Sequence, residues 1–320
     1  MTDRHQTPPS AENPICLGTR ASPLAMAQAH MAAAALRQAH GLPEAAIAIH
    51  AVQTVGDKVL HRPLAEIGGK ALWTKELDGA LIEGQIDFAV HSMKDVETEL
   101  AHGICLAAVL ERADPRDRLV GAARLADLPA GAIVGTSSPR RTAQLLNRRP
   151  DLQVEILRGN VQTRLKAIAE GRAAATFLAA AGLDRLGVAE GHVLPIGDWL
   201  PAASQGIVGM TCRADDARMQ ALLGAVNHSP SMAWLAAERA VLEGLGGSCH
   251  TSVAAHAWGT GTLHLAAELL SPDGRDRIDE TLEGPDSDPR GLGLALARAL
   301  MARATPAIRA SLEPVSPVRA

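Results

Sequence analysis

The sequence is poor in aromatic residues and has no long apolar run. Aromatic side chains make up 2% of the 320 residues, and tyrosine is absent. No apolar stretch reaches the roughly 18 residues of a membrane-spanning helix, which argues against such a span. The first residues, MTDRHQTPPSAEN, have no apolar core, which excludes a secretory signal peptide. We therefore expect residues 1–13 to form a disordered tail and the protein to be cytoplasmic.

Cysteine is also scarce. Cys16, Cys105, Cys212 and Cys249 lie far apart in the chain, and no CxxC pair occurs. No histidine and cysteine residues have the spacing of zinc ligands. We therefore predict isolated, reduced thiols and no metal site.

The charge balance excludes further classes of protein. The formal net charge is −4, with 31 lysine and arginine residues against 35 aspartate and glutamate residues. This balance argues against a protein that coats nucleic acid or is held to an anionic membrane. We predict neither partner, and nothing in the sequence demands more than a monomer.

The order of apolar patterns predicts an α/β chain followed by a smaller unit. Short apolar runs alternate with helical patterns from Ile15 to about Leu186, which is typical of parallel strands joined by helices. After about Pro230 the pattern changes to one helix, a β-hairpin around the turn PDG, and a helix from Pro289 to about Thr305. The first of these helices carries an apolar stripe that includes Trp234, Leu235 and Val241.

Four predicted strand-to-helix junctions carry cations or hydroxyl groups. They hold Arg20 with Ser22; Lys94; Thr136, Ser137 and Ser138 with Arg140 and Arg141; and Arg158 with Arg164. A helix N-terminus exposes unpaired N–H groups and favours an anion, and such junctions meet at the carboxyl ends of parallel strands. Together they predict a ligand with several carboxylates or phosphates. In the alternative interpretation, the hydroxyl groups only cap helices and the arginines only cover surface.

Single residues in these motifs also have two interpretations. Asp95 is either a cap or surface ion pair, or a carboxylate that binds a ligand N–H and stabilises developing positive charge. His91 is interpreted as a packed residue at a strand end. Cys249, in LGGSCHTSV, is either structural or a nucleophile whose pKa a nearby positive charge lowers. The GGK at 68–70 lacks the GxxxxGK[ST] pattern of a phosphate-binding loop.

A series of blocks along the chain carries a family resemblance. They are GTRASPLAMAQ, TVGDKVL, IGGKALWTKEL, DFAVHSMKDV, DPRDRLV, GTSSPRRTAQL, LRGNVQTRL, AAGLDRLG, LPAASQGIVG and AERAVLEGLGGSC. In order and content, these blocks resemble the porphobilinogen deaminase family, also called hydroxymethylbilane synthase, from about Ile15 to the C-terminal helix.

The resemblance implies a transferase of haem biosynthesis. Its members link four porphobilinogen units head to tail, with loss of ammonia, and release the linear tetrapyrrole hydroxymethylbilane. They carry a dipyrromethane cofactor, joined by a thioether to a cysteine that aligns with Cys249. Each pyrrole bears an acetate and a propionate, which suits cationic helix starts.

The resemblance also implies an α/β fold in three domains. The first two are lobes similar to those of periplasmic binding proteins, with mixed, mainly parallel sheets, and the third is a small α+β domain that carries Cys249. We place domain 1 at 14–113 plus 203–225, domain 2 at 114–202 and domain 3 at 226–320.

Site residues follow from the same resemblance. Asp95 matches the catalytic aspartate of the family. The cofactor would be held by Asp95, Lys94, Thr136, Ser138, Arg140, Arg141, Arg164 and, covalently, Cys249. The substrate position would be served by Arg20, Ser22, Gln28, Arg158, Arg185 and Gln205.

This sequence departs from the family pattern at four positions. Glu66 stands where a lysine is usual, and Glu97 replaces a proline. Ser248 and Ser252 stand where the family often has glycine and proline. None of these changes removes a chemical group that the mechanism needs, but they leave loop conformation and rate open.

Two other classes of function are open from the residues alone. The chain could be a carboxylate-binding protein without catalysis, in which Cys249 has no role. It could also be a thiol hydrolase that uses Cys249 and His250, although adjacent residues on a strand point to opposite faces.

Overall fold

Three β-sheets organise the chain. The structure, a computed structural model, describes residues 9–52, 74–246 and 251–312. Of the predicted tail, only residues from 9 onward are described, and there Ser10 and Asn13 close a turn. Glu66, Ser248, Cys249 and the GGK at 68–70 lie outside the described residues.

The first sheet is mixed, with three parallel strands on one side. Its strands are β1 (Ile15–Arg20), β2 (Ile47–Val52), β3 (Phe88–Ser92), β4 (Ile104–Val109) and β10 (Val208–Arg213). The order is β2-β1-β3-β10-β4, and β1 runs parallel to β2 and β3. β10 is antiparallel to β3 and to β4, so a distant part of the chain completes this sheet.

The second sheet repeats this arrangement. Its strands are β5 (Asp117–Val120), β6 (Ile133–Gly135), β7 (Gln153–Glu155), β8 (Ala175–Ala179) and β9 (His192–Val193), in the order β7-β6-β8-β5-β9. β6 is parallel to β7 and β8, whereas β5 is antiparallel to β8 and β9. The two sheets therefore share one topology. The antiparallel strand inside each sheet, β10 in the first and β5 in the second, directly follows a segment in which the chain crosses over from the other sheet.

Three of the helices in this part begin at a capping side chain that the sequence supplies. The helices of this part are α1 (Pro23–His40), α2 (Lys75–Ile82), α3 (Pro139–Arg148), α4 (Val161–Ala169), α5 (Ala180–Arg185) and α6 (Ala217–Gly224). Ser22, Ser138 and Asn160 accept hydrogen bonds from the backbone N–H three residues on, in α1, α3 and α4. Proline occupies the first position of α1 and α3, where its missing N–H costs nothing. The capping that the sequence offers for the hydroxyl groups is confirmed at Ser22 and Ser138, and Asn160 is a third cap.

The third sheet packs against two helices. Its strands are β11 (Val253–Trp258), β12 (Thr262–Leu270) and β13 (Arg277–Pro285), all antiparallel. The two helices that pack on it are α7 (Ser229–Gly244) and α8 (Pro289–Arg303), and a shorter helix, α9 (Pro306–Leu312), follows. Val241 and Leu245 join Val253, Leu265 and Leu296 in one buried cluster. The predicted hairpin and final helix are confirmed.

One predicted member of the α7 stripe lies elsewhere. Leu235 is 1% exposed and packs with Met93, Val96 and Ile207 rather than in the cluster of the third sheet. The apolar pattern of α7 therefore serves two neighbours at once. The spacing of apolar residues along α7 does not show which neighbour each side chain packs against, because both contacts bury apolar side chains.

The described part confirms the α/β class, with two mixed sheets and a smaller third unit. The domain boundaries stay a prediction. Among the described helices, none is both long and apolar enough to cross a membrane.

The two crossings between the first and second sheets touch at Gly206. The backbone N–H of Ala113 donates to the carbonyl of Gly206, at 3.2 Å. Gly206 has φ of +89°, and a Cβ atom placed there would lie 2.5 Å from the carbonyl oxygen of Ala113. This contact therefore requires glycine for both its backbone conformation and its space.

Replacing Gly206 with alanine tests the tightness of this contact. Gly41 is the matched control, because its φ is +63° and no atom lies within 4 Å of a Cβ placed there. We expect Gly41→Ala to lower the free energy of unfolding by about 1–2 kcal/mol, the cost of a left-handed L-residue. Gly206→Ala adds a backbone collision and should cost at least about twice that. Equal losses in chemical denaturation would contradict the contact.

Candidate active site

A cavity opens at the carboxyl ends of β1 and β3. It is lined by Arg20, Ser22, Leu24, Ala25, Gln28, Thr74, Val90, His91, Ser92, Asp95 and Val96. Arg20 ends β1, and Asp95 closes a short 3-10 helix, Met93–Asp95, that follows β3. Because the two strands are parallel neighbours, their ends bring these residues to one edge of the sheet. Four predicted site residues, Arg20, Ser22, Gln28 and Asp95, line this one cavity.

The neutral groups of the cavity are held by hydrogen bonds. The Gln28 side chain is buried, and its Nε2 donates to Ser92 Oγ at 2.7 Å. His91 Nε2 lies 2.9 Å from Thr211 Oγ1 on the adjacent β10. Burial lowers the pKa of His91 to about 4, and Arg20 adds to this effect. The imidazole is therefore neutral at physiological pH, in agreement with a packed residue at the strand end.

A chain of hydrogen bonds links this cavity to the second sheet. Lys94 Nζ donates to Gln205 Oε1 at 3.1 Å, and Gln205 Nε2 donates to Asp117 Oδ1 at 2.8 Å. Burial lowers the pKa of Lys94 to about 8, although Asp95 and Asp117 oppose this effect. Gln205 thus connects a cation next to Asp95 with a carboxylate at the start of β5.

Asp117 is the centre of a buried ionic cluster. It is fully buried and accepts from Arg140 Nη2 at 2.9 Å, Arg141 Nη2 at 2.7 Å and Trp199 Nε1 at 2.9 Å, besides Gln205. Burial raises the pKa of Asp117, but Arg141 and Arg140 outweigh it and hold that pKa well below its usual range. Asp117 is thus an anion that orients two arginines at the start of α3.

Asp117 lies in the block DPRDRLV, but it is not among the predicted site residues. Its position carries a signal, because a carboxylate at the start of an apolar strand needs a buried cation, and two adjacent arginines at a helix start need an anion. Asp117 and the pair Arg140 and Arg141 could therefore have been predicted to bind each other.

Arg140 and Arg141 are only partly available to a ligand. Besides Asp117, Arg140 Nη1 donates to Gln144 Oε1 and to the carbonyl of Leu200, and Arg141 Nη1 donates to the carbonyl of Phe177. The Nε of Arg140 is buried and has no hydrogen-bond partner in the described part of the chain. It therefore keeps donor capacity that a carboxylate would satisfy.

The remaining predicted cations lie in the second lobe. Arg164 Nε donates to the carbonyl of Gly159 at 3.1 Å, and burial lowers the pKa of Arg164 to about 10. Arg158 is half-buried, and burial also lowers its pKa. Arg185 Nη2 donates to the carbonyl of Gly206 at 2.7 Å, while its Nε is buried without a partner among the described residues.

The hydroxyl groups at the start of α3 support backbone geometry. Thr136 is 1% exposed, and its Oγ1 accepts from the backbone N–H of Ser138 at 3.2 Å. Ser138 in turn caps α3. These contacts fit the capping interpretation, and they also fix the helix start that carries Arg140 and Arg141.

The charges of the site do not balance. Lys94 interacts electrostatically with Arg140, Arg141, Asp95 and Asp117. Arg164 interacts with Arg141, Arg158 and Asp95, and Arg140 interacts with Glu268. These are five cations against three carboxylates, an excess of two positive charges in partly or fully buried surroundings. Burying unbalanced charge is costly, so the site is complementary to a ligand with at least two negative charges. Within the described ranges, no group of histidine, cysteine, aspartate and glutamate side chains could hold a metal ion.

The family models for two domains match this chain. Residues 15–221 match the model described as "Porphobilinogen deaminase, dipyromethane cofactor binding domain", and residues 233–302 match "Porphobilinogen deaminase, C-terminal domain". The porphobilinogen deaminase of Sphingopyxis alaskensis is 55% identical over 93% of this chain and 96% of its own length. That of Paracoccus denitrificans is 49% identical over 92% and 96%.

Solved structures give a weaker likeness. A periplasmic substrate-binding protein of an ABC transporter from Coxiella burnetii is 14% identical and covers 68% of this chain and 93% of its own, with a TM-score of 0.40. That score is too low to bear on function.

The pKa of Lys94 can be tested by amine labelling of the cofactor-free protein. Since burial lowers this pKa to about 8, the amine is mostly neutral and reactive above pH 8 and protonated below it. The labelling reaction is run at a series of pH values from 6 to about 11, and the labelled fraction of Lys94 is measured by peptide mass spectrometry. We expect that fraction to rise with pH, with a midpoint near pH 8. Lys166, which is exposed on α4, provides the internal reference. A midpoint for Lys94 above roughly pH 10, the ordinary range of lysine, would contradict the burial.

Proposed function

The chain belongs to the porphobilinogen deaminase family, and we propose that its cavity binds porphobilinogen and that Asp95 is its catalytic residue. The protein is a transferase that joins four porphobilinogen units head to tail, with loss of ammonia, and releases hydroxymethylbilane. The observation that carries the assignment of the site is the position of Asp95, which lines the cavity and interacts electrostatically with Lys94 and Arg164.

The described residues fit a dipyrromethane cofactor. When bound, the cofactor supplies the primer to which porphobilinogen units are added. Its acetate and propionate groups are opposite in charge to the surplus cations, and a carboxylate could accept from the unpartnered Arg140 Nε. We propose that it is held by Asp95, Lys94, Thr136, Ser138, Arg140, Arg141 and Arg164.

We further propose that Cys249 carries the cofactor through a thioether. Cys249 lies outside the described residues, but Ser252 lies within them and is 5% exposed. Ser252 Oγ donates to the carbonyl of Pro139, the first residue of α3, at 3.4 Å. The described end of this segment therefore lies at the helix start that carries Arg140 and Arg141, which supports the proposal.

The residues proposed for the substrate position are Arg20, Ser22, Gln28, Arg158, Arg185 and Gln205. Arg20, Ser22 and Gln28 line the cavity with Asp95, which supports this proposal. Gln205 is 1% exposed, and its amide is already bonded to Lys94 and Asp117. Its contribution would therefore be to hold Lys94 in place.

Asp95 acts on the charge that the reaction creates. Loss of ammonia from porphobilinogen leaves a cationic methylene-pyrrole, which a carboxylate stabilises through charge and through the pyrrole N–H. The neighbouring cations Lys94 and Arg164 bind carboxylates of the ligand, so the pyrrole ring is oriented with its N–H toward Asp95. His91 is neutral at physiological pH and adds no competing charge.

Family membership decides between the classes of function that the residues left open. A carboxylate-binding protein without catalysis and a thiol hydrolase are both wrong for a transferase of this family. A cytoplasmic location, a monomeric state and the absence of nucleic-acid and membrane partners are further proposals, which rest on the sequence.

Asp95→Asn tests the catalytic assignment. The amide keeps the size of the side chain but loses its negative charge, so we expect kcat to fall at least about 100-fold, the scale of one lost electrostatic stabiliser. Hydroxymethylbilane formation is measured on protein shown by mass to carry the cofactor. The control is Glu99→Gln, an exposed carboxylate four residues on. Near-normal turnover of Asp95→Asn would remove Asp95 from catalysis.

A further inference from the structure

Arg239 of α7 binds the backbone immediately after Asp95. Its Nη1 donates to the carbonyl of Val96 at 3.2 Å, and its Nη2 donates to the carbonyls of Glu97 and, at 2.7 Å, Thr98. One guanidinium thus holds three consecutive carbonyls, and those carbonyls lie 141 to 143 residues away in the chain. Charge-assisted bonds from a planar, rigid donor fix the direction of the acceptors as well as their distance.

Apolar packing holds the other side of the same turn. Leu235 lies one helical turn before Arg239, so the two side chains share one face of α7. Leu235 is 1% exposed and packs with Met93 and Val96, which flank Asp95 and its neighbour Lys94. The turn that holds Asp95 therefore contacts α7 on both sides of Asp95, through Leu235 and through Arg239.

α7 is itself fixed by the residue next to Arg239. Glu238 is fully buried and accepts from Arg112 Nη1 at 2.6 Å, from the backbone N–H of Ser204 at 2.5 Å and from that of Ala257 at 2.7 Å. Arg112 and Ser204 belong to the two crossings between the sheets, and Ala257 belongs to β11. The helix that holds the turn with Asp95 is thus hydrogen-bonded to both crossings and to the third sheet.

From these contacts we infer that Arg239 is a positioning residue for Asp95. Arg239 is not among the described residues that line the cavity, but it sets where the turn with Asp95 lies relative to that cavity. This inference rests on the proposed catalytic role of Asp95. A displacement of about 1 Å is enough to cost roughly 100-fold in rate, so a support outside the cavity can matter for turnover.

The contact also explains why one departure from the family pattern is tolerated. Glu97 replaces the usual proline, yet the group that Arg239 binds is the backbone carbonyl of residue 97. Proline has the same carbonyl and no N–H, and this contact uses no N–H. The side chain at 97 can therefore change without loss of the support.

Arg239→Gln and Arg239→Lys test the inference by steady-state kinetics on cofactor-loaded protein. We expect Arg239→Gln to lower kcat about 10- to 100-fold with KM within about threefold, because the substrate-binding side chains are untouched. Arg239→Lys keeps a cation that can reach only part of the three carbonyls, so it should recover part of the loss. The matched control is Arg298→Gln, an exposed arginine on α8, which should equal the wild type.

A double variant separates positioning from general destabilisation. If Arg239 acts through Asp95, Arg239→Gln should slow the Asp95→Asn enzyme by less than about twofold, because the group that it positions is already gone. A full 10- to 100-fold further loss would overturn the inference. Wild-type kcat in Arg239→Gln, a loss confined to KM, or missing cofactor mass in that variant would also overturn it. If Arg239→Gln does not fold, Arg239→Lys and its double variant with Asp95→Asn decide by the same criteria.

The two proposals fail in different ways. If the wild-type protein forms no hydroxymethylbilane, or if Asp95→Asn is fully active, the proposed function of the site fails. If the wild type is active and Asp95→Asn is slow, but Arg239→Gln behaves as the wild type, only the role of Arg239 fails.

Discussion

The buried carboxylate of Asp117 is the interaction on which the site depends. It accepts from two arginines at the start of α3, from Trp199 and from Gln205, which in turn accepts from Lys94. One anion thus holds cations from both lobes at fixed positions. Because it neutralises only part of their charge, the surplus is available to a ligand that carries carboxylates. Asp117 thus offsets part of the charge of the buried arginines, and the net positive charge that is left favours an anionic ligand.

A second constraint ties the third unit to the first two. Neighbouring residues of α7 point to different partners: Glu238 binds the crossings between the lobes, and Arg239 binds the turn after Asp95. The same helix leads toward Cys249, ten residues beyond Arg239. The helix that precedes the proposed cofactor-carrying residue, Cys249, is therefore hydrogen-bonded to the turn that holds the proposed catalytic residue, Asp95. A tethered ligand and a catalytic carboxylate need such a connection, since catalysis depends on their relative position.

Local features of this fold were predictable from the sequence, and long-range ones were not. Ser22, Ser138 and Asn160 signal helix starts because a cap depends only on the next three residues. Asp117 was missed because its partners lie 23 to 88 residues away. Arg239 was missed because it binds backbone carbonyls, which leave no trace in a pattern of side chains. The burial of Leu235 was predictable from the apolar stripe of α7, but its neighbour was not, since burial against either neighbour gives the same apolar signal.

We propose that the surplus cations bind a polycarboxylate that is tethered to Cys249. The decisive measurement is the intact mass of the denatured protein, made in cells that supply porphobilinogen. We expect the wild type and the matched variant Cys105→Ala to exceed the polypeptide mass by one dipyrromethane unit, and Cys249→Ala to have the bare mass. A bare wild-type mass, or an adduct that persists in Cys249→Ala, would rule out the tether.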